Sequence, residues 1–267
     1  MELAVILSVY YKEKARYLDE SLSSIFNQSF VPSEVVLVED GPLNDELYGV
    51  VSKYKTRYTN LKVISIENNQ GLAHALNLAI TNTRAKYIAR MDTDDVSKRE
   101  RFEKQISFLN DNPDVDCVGT WAIEIKADGS EFFKKQMPLS HDECRRFYMK
   151  RNPMIHPTVM FRRSYFEKAG IYPEYTYQEE DTMLWANGFA NGCRFANIPE
   201  YLYEFRIDDS FFHRRKGFRF AKDTFLIRHK IRKMLHYPFK ADVYAFLFAI
   251  SKMMPGPMLK LIYKIVR

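Results

Sequence analysis

At 267 residues, 46% hydrophobic and 28% charged, the chain has an ordinary globular composition and enough length for one large domain, or for one domain with an appendage. Three widely spaced cysteines (Cys117, Cys144, Cys193) exclude a disulfide framework and a cysteine metal site. The net charge of +6 is uneven: 14 Lys and Arg face only 2 Asp from His213 onward, while the rest of the chain carries the other 26 basic and 32 acidic groups. A basic tail on a mildly acidic body points to an anionic partner such as a membrane surface, a nucleic acid or phosphates. The opening Met1-Glu2-Leu3-Ala4-Val5 lacks the basic start of a signal peptide. No apolar run reaches the 18 or so residues of a spanning helix. A protein kept in a reducing cytosol is therefore expected.

In chain order, Leu3–Val9 is an apolar, aliphatic run that predicts a buried strand, and Tyr17–Gln28 carries apolar residues at helical spacing. Val35–Val38 predicts a second strand, ending on Glu39-Asp40-Gly41-Pro42, an acid pair and a turn. Leu47–Tyr58 reads as a helix and Leu61–Ile66 as a strand. Asn69-Gln70-Gly71-Leu72 turns into a further helix, Tyr87–Met91 is a fourth strand and Arg99–Leu109 the next helix. This alternation calls for a mainly parallel sheet with helices on both faces, an α/β fold. The second half is less regular. Cys117–Lys126 and Glu131–Lys135 predict a hairpin, Asp142–Lys150 a helix and Ile155–Phe161 a strand. Thr182–Ala190 then reads as a helix and Phe195–Arg206 as extended chain.

The fourth strand stops on Asp92-Thr93-Asp94-Asp95. Ligands of open α/β sheets sit at the carboxyl ends of strands, and acids one residue apart can share a hard cation such as Mg²⁺ or Mn²⁺. The alternative is that these acids cap a helix beginning near Ser97. No G-x-G-x-x-G follows the first strand and no P-loop is present, so hydride transfer to NAD and P-loop chemistry are poorly supported. Asp40 suits either a nucleotide contact or a turn before Gly41.

Taken in order, Ser8-Val9-Tyr10, the strand end Val36–Gly41, Asn69-Gln70-Gly71-Leu72-Ala73 and Met91–Asp95 resemble the family 2 glycosyltransferases. So do His156-Pro157-Thr158 and Glu180-Asp181 with Leu184-Trp185. The likeness covers roughly residues 3–220 and is strongest to enzymes of bacterial exopolysaccharide and O-antigen assembly. It implies a GT-A fold and an inverting, metal-dependent transfer of a sugar from a nucleotide diphosphate, UDP above all, to a lipid-linked or growing saccharide. It further implies that Ser8, Tyr10 and Asp40 line the base pocket, with Asn69 and Gly71 beside the nucleotide. Asp92 and Asp94 would hold Mn²⁺ or Mg²⁺, with Asp95 towards the donor sugar. His156 would lie near acceptor or diphosphate, and Arg206, Arg214 and Arg215 would close over the pyrophosphate. Asp181, with Glu180 second to it, would be the base. The plainer readings are a core histidine, a solvated basic face and acids that offset a helix dipole.

On this reading residues 1–220 form the catalytic domain, 1–97 binding nucleotide and 98–220 acceptor, and residues 221–267 form a basic amphipathic tail. In the tail, Phe225–Leu235 and Met258–Val266 mix apolar and basic residues around an apolar Tyr244–Ile250. Such helices suit an anionic membrane surface, here the inner face of the plasma membrane, or else pack on the body or a second subunit. A nucleic-acid partner would leave the acidic strand end without a role. A non-catalytic sugar- or membrane-binding protein would be expected to lack one of the carboxylates, and both sets are present.

Overall fold

The computed structural model describes residues 2–176, 179–207 and 217–253. Its first half alternates as the sequence predicts: β1 (Leu3–Val9), α1 (Ala15–Phe26), β2 (Glu34–Asp40), α2 (Asp45–Arg57), β3 (Leu61–Ile66), α3 (Leu72–Thr81) and β4 (Tyr87–Arg90). These four strands run parallel in the order β3-β2-β1-β4. β1 and the middle of β2 are apolar because both faces are covered, whereas the edge strand β3 exposes Lys62 and Ser65. On one face Leu3, Val5, Leu7 and Val9 pack with Leu18, Leu22 and Ile25 of α1 and Leu47 and Val51 of α2. On the other, Ile6, Val36 and Val38 meet Ala75, Leu76, Ala79 and Ile80 of α3. The alternation along one strand follows its two-residue period.

The second half extends the same sheet. It comprises β5 (Val96–Ser97), α4 (Arg101–Asp111), β6 (Cys117–Ile125), β7 (Glu131–Lys135), α5 (His141–Tyr148), β8 (Met160–Arg162), α6 (Arg163–Ala169), α7 (Glu180–Ala190) and β9 (Phe195–Arg206). β8 inserts antiparallel between β4 and β6, and β9 runs parallel to β6. Two expectations need correction. Residues 155–159 are not strand: His156–Thr158 form a 3-10 turn, because Pro157 has no N–H for a ladder and the Thr158 amide bonds back to Ile155 O at 2.9 Å. And no helix begins near Ser97. Val96 and Ser97 pair with Glu204 and Tyr203 of β9, and α4 starts only at Arg101. The acids of the β4 end therefore cap no helix.

Two tail helices follow, α8 (Phe218–Met234) and α9 (Lys240–Ser251), the first starting just ahead of the boundary expected at 220. Ile231, Leu235 and Ala241 join the core that contains Leu184 and Trp185 of α7, so the tail packs on the body. Its cations are partly turned inward: Arg232 pairs with Asp242 at 2.8 Å, and Arg228 is buried. The outer side of α9, by contrast, exposes Val243, Phe246, Leu247 and Ile250. The stretch 258–266 lies outside the described residues. Among the described residues no helix is long and apolar enough to cross a membrane.

Candidate active site

β4 delivers its acids to the carboxyl edge of the sheet, and several long-range contacts hold them there. Arg101 is fully buried on α4 and donates from Nη2 to Arg90 O at 2.8 Å, closing the end of the strand. Gln105, one helical turn on, donates to Val118 O and Thr158 O. The Asp92 amide meets Tyr203 Oη at 3.2 Å, and the Ser21 hydroxyl donates to Asp92 O. The Arg206 amide donates to Asp95 Oδ1 at 2.7 Å.

Within this frame, carboxylate oxygens of Asp92, Asp94 and Asp95 lie within 4.8 Å of one another. Asp95 is wholly buried, and its Oδ2 has no hydrogen-bond partner among the described residues. Burial, reinforced by the charges of Asp94 and Asp92, holds its carboxyl well above the usual range, against hydrogen bonds from Arg206 and Tyr203. Three crowded carboxylates with an orphaned buried oxygen make an all-oxygen donor set, which fits a hard divalent cation.

A second acidic group opens α7. Glu180 is pushed up to about 7, first by burial and then by the charge of Asp181. Asp181 Oδ1 accepts from the Thr182 amide at 2.6 Å and Oδ2 from Asn152 Nδ2 at 3.1 Å. Arg90 stands in electrostatic reach of both acidic groups. It is 2% exposed, its Nη2 pairs with Asp92 Oδ1 at 2.5 Å, and its charge also acts on Glu180. Its Nε and Nη1 have no partner among the described residues. Beside it the half-buried His156 shares a hydrogen bond with Tyr172 Oη at 2.8 Å and lies edge-on to Trp185. Burial and the nearby Arg90 charge hold this imidazole well below its ordinary value, hence neutral.

The remaining expected residues fall into three groups. Ser8 and Tyr10 lie at the carboxyl end of β1, where Ser8 O accepts from Thr93 Oγ1 at 3.2 Å, so they adjoin the acidic loop. Asp40 is committed to the β3–α3 turn, its carboxylate accepting from Gln70 N (2.7 Å), Gly71 N (3.0 Å) and Asn69 Nδ2 (2.9 Å). Gly41, at φ 85°, packs so closely there that a Cβ would sit 2.8 Å from Asn69 N. Arg206 has different surroundings from those expected of a cation closing over pyrophosphate. Its guanidinium donates to Asp94 O at 2.8 Å, pairs with Glu20 at 2.7 Å and lies over the Tyr17 ring, so it clamps the acidic loop from behind. Arg214 and Arg215 lie outside the described residues. Sequence reasoning missed Arg90, Arg101 and Tyr203. A lone arginine in an otherwise apolar strand, and an Arg–Gln pair four apart on the buried face of α4, are the signals that could have pointed to the first two.

The model of "Glycosyl transferase family 2" matches residues 5–170. The chain belongs to this family. As a glycosyltransferase it is 33% identical over 265 residues to the amylovoran biosynthesis glycosyltransferase AmsE of Erwinia amylovora, covering 98% of this chain and 97% of that protein. It is 32% identical over 222 residues to the UDP-Gal:alpha-D-GlcNAc-diphosphoundecaprenol beta-1,3-galactosyltransferase of Escherichia coli, covering 82% and 79% of the two. Among solved structures, S. aureus TarS in complex with UDP-GlcNAc superposes with a TM-score of 0.70 at 19% identity, over 94% of this chain and 72% of the other. The mannosyltransferase PcManGT of Pyrobaculum calidifontis, in complex with GDP-Man and Mn2+, gives 0.66 at 18% identity, over 98% and 79%. The fold of this glycosyltransferase is accordingly GT-A.

Proposed function

We propose that this glycosyltransferase moves a sugar from a UDP-linked donor to a hydroxyl of a lipid-linked saccharide in surface polysaccharide assembly, with inversion at the anomeric carbon. The observation that carries the reading is the pairing of two acidic groups through Arg90: the three-carboxylate cluster at the end of β4 and Glu180-Asp181 at the start of α7. The named substrates of the Escherichia coli relative support a UDP donor and a diphospholipid-linked acceptor. The UDP-GlcNAc and Mn2+ in complex with the solved neighbours support the nucleotide and the metal.

In this reading Asp92, Asp94 and Asp95 would hold Mn²⁺ or Mg²⁺. A divalent cation bound there supplies Lewis-acid stabilisation of the charge that grows on the departing diphosphate. Ser8, Tyr10 and the Asn69–Gly71 turn, braced by Asp40, line the nucleotide side. Asp181 accepts the proton of the acceptor hydroxyl as that oxygen bonds to the anomeric carbon. The bond from that carbon to the diphosphate oxygen breaks on the opposite face, and its electron pair leaves with UDP. A base so placed is worth about 10²–10⁴-fold. Residues 1–97 carry the donor and 98–220 the acceptor. The exposed apolar side of α9 rests on the anionic inner surface of the membrane that carries the acceptor lipid.

The test is a panel of UDP- and GDP-sugars assayed for Mn²⁺-dependent transfer to an undecaprenyl-diphosphate saccharide, with Asp94→Ala and Asp181→Ala alongside. Both variants are expected to lose transfer while keeping wild-type circular dichroism. Transfer at the wild-type rate by Asp181→Ala would remove the base, and metal-independent transfer would remove the cation.

A further inference from the structure

The tail helix α8 reaches the start of α7 through two hydrogen-bonded relays. Thr224 and Arg228, one turn apart, lie on the same face of α8 and are both buried. Thr224 Oγ1 donates to Glu179 Oε1 at 2.8 Å, and Glu179 Oε2 accepts from Thr182 Oγ1 at 2.6 Å. Arg228 Nη2 donates to Asn152 Oδ1 at 2.8 Å, and Asn152 Nδ2 donates to Asp181 Oδ2 at 3.1 Å and to Thr182 Oγ1 at 2.9 Å. Arg228 is anchored in turn by Tyr148 O at 3.1 Å.

We propose that Arg228, acting through Asn152, is a positioning residue for the Asp181 carboxylate, which makes the tail helix a working part of the transfer site. The proposal rests on the reading of Asp181 as the base. A carboxamide has one accepting and one donating end, and nothing in an isolated Asn chooses between its two flips. A guanidinium can only donate, so Arg228 fixes Oδ1 towards itself and thereby turns the NH₂ of Asn152 to Asp181. With Oδ2 held by that NH₂ and Oδ1 held by the Thr182 amide, the carboxylate is fixed from both ends. Without Arg228 the Asn152 oxygen keeps only the Thr182 hydroxyl, at 3.2 Å, and the NH₂ that holds the base loses its firmest anchor.

Asp181 acts on Glu180 beside it, on Tyr148 of α5 and on Tyr172; Arg90 of β4 and Glu179 act on Glu180, and Arg228 of α8 stands behind Asn152. Removing a donor to the charged form raises a carboxylate's titration midpoint. The experiment follows Asp181 by carbon-13 NMR titration in the metal-free full chain, comparing wild type, Asn152→Ala, Arg228→Met and Arg228→Lys. Asn152→Ala and Arg228→Met are expected to move the midpoint up by roughly one pH unit, and Arg228→Lys to restore most of the difference. With UDP-galactose, Mn²⁺ and undecaprenyl-diphosphate GlcNAc as probes, the same two variants lose kcat by roughly 10- to 100-fold with donor KM within about twofold. Asn152 is only half-buried, so Asn152→Ala keeps the test alive if Arg228→Met does not fold. An unmoved midpoint in Asn152→Ala, or in a folded Arg228→Met, overturns the relay. Undiminished transfer by Asp181→Asn with the shifts intact overturns instead the reading of the base.

Discussion

The Arg90–Asp92 pair should respond asymmetrically to losing one partner or the other. Arg90 is 2% exposed and Asp92 27%. Asp92→Asn leaves a guanidinium in the interior with its attraction to a carboxylate gone and with Nε and Nη1 already lacking partners among the described residues. Stranding a buried charge in this way costs about 3–5 kcal/mol. Because Glu180 also feels Arg90, the lower end, about 3 kcal/mol, is expected. For a chain of this size that lowers Tm by roughly 6–12 °C. Arg90→Met leaves a carboxylate that solvent already reaches and puts an apolar chain where two guanidinium nitrogens lacked partners among the described residues. Its expected cost is within about 1 kcal/mol. Urea and thermal unfolding in EDTA, with the double variant included, measure both, and the double variant should match Arg90→Met. An Asp92→Asn protein as stable as wild type, or an Arg90→Met protein less stable than Asp92→Asn, would refute the argument.

Glu180 provides a pH test. Its folded-state value, raised to about 7, means that the fold favours the neutral acid, so this contribution is present at low pH and is lost as pH rises through about 7. Melting curves of wild type and Glu180→Gln should therefore diverge from pH 4.5 up to about 7 and run level above it, the variant becoming relatively more stable; parallel curves would contradict the shift. Asp40→Ala removes the acceptor of three donors in a solvent-reached turn, for an expected loss of about 1–3 kcal/mol together with a higher donor KM, read by urea unfolding and steady-state kinetics. For the membrane surface, Phe246→Glu with Leu247→Glu should abolish co-sedimentation with anionic liposomes and leave the melting temperature unchanged, because both side chains are exposed (55% and 58%). Undiminished co-sedimentation would assign binding elsewhere.

The fold was legible wherever burial left a concentration of apolar and aromatic residues along a strand. β1, β3 and β9 lie where their sequences place them, and Asp92, Asp94 and Asp95 do gather at the end of β4. What stayed hidden depends on contacts far apart in the chain. Val96–Ser97 is too short to show a period and becomes strand only because Tyr203 and Glu204 pair with it. The tail's cations read as facing an anionic membrane surface, yet Arg228 is spent on Asn152 and Tyr148, and Arg232 on Asp242, since one-dimensional spacing does not say which side of a helix meets the protein. Arg206 likewise has the charge expected of a phosphate ligand, and only the position of Glu20 and Tyr17 reveals that the charge is already engaged.

β9 supplies both Tyr203, which meets the Asp92 amide, and Arg206, whose amide holds Asp95. During synthesis the β1–β4 half therefore leaves the ribosome more than a hundred residues before the braces of its acidic loop exist. A nascent chain halted ahead of Phe195 would carry the Asp92–Asp95 loop without either contact from β9. Competence for transfer thus arrives late, when the last strand of the sheet docks.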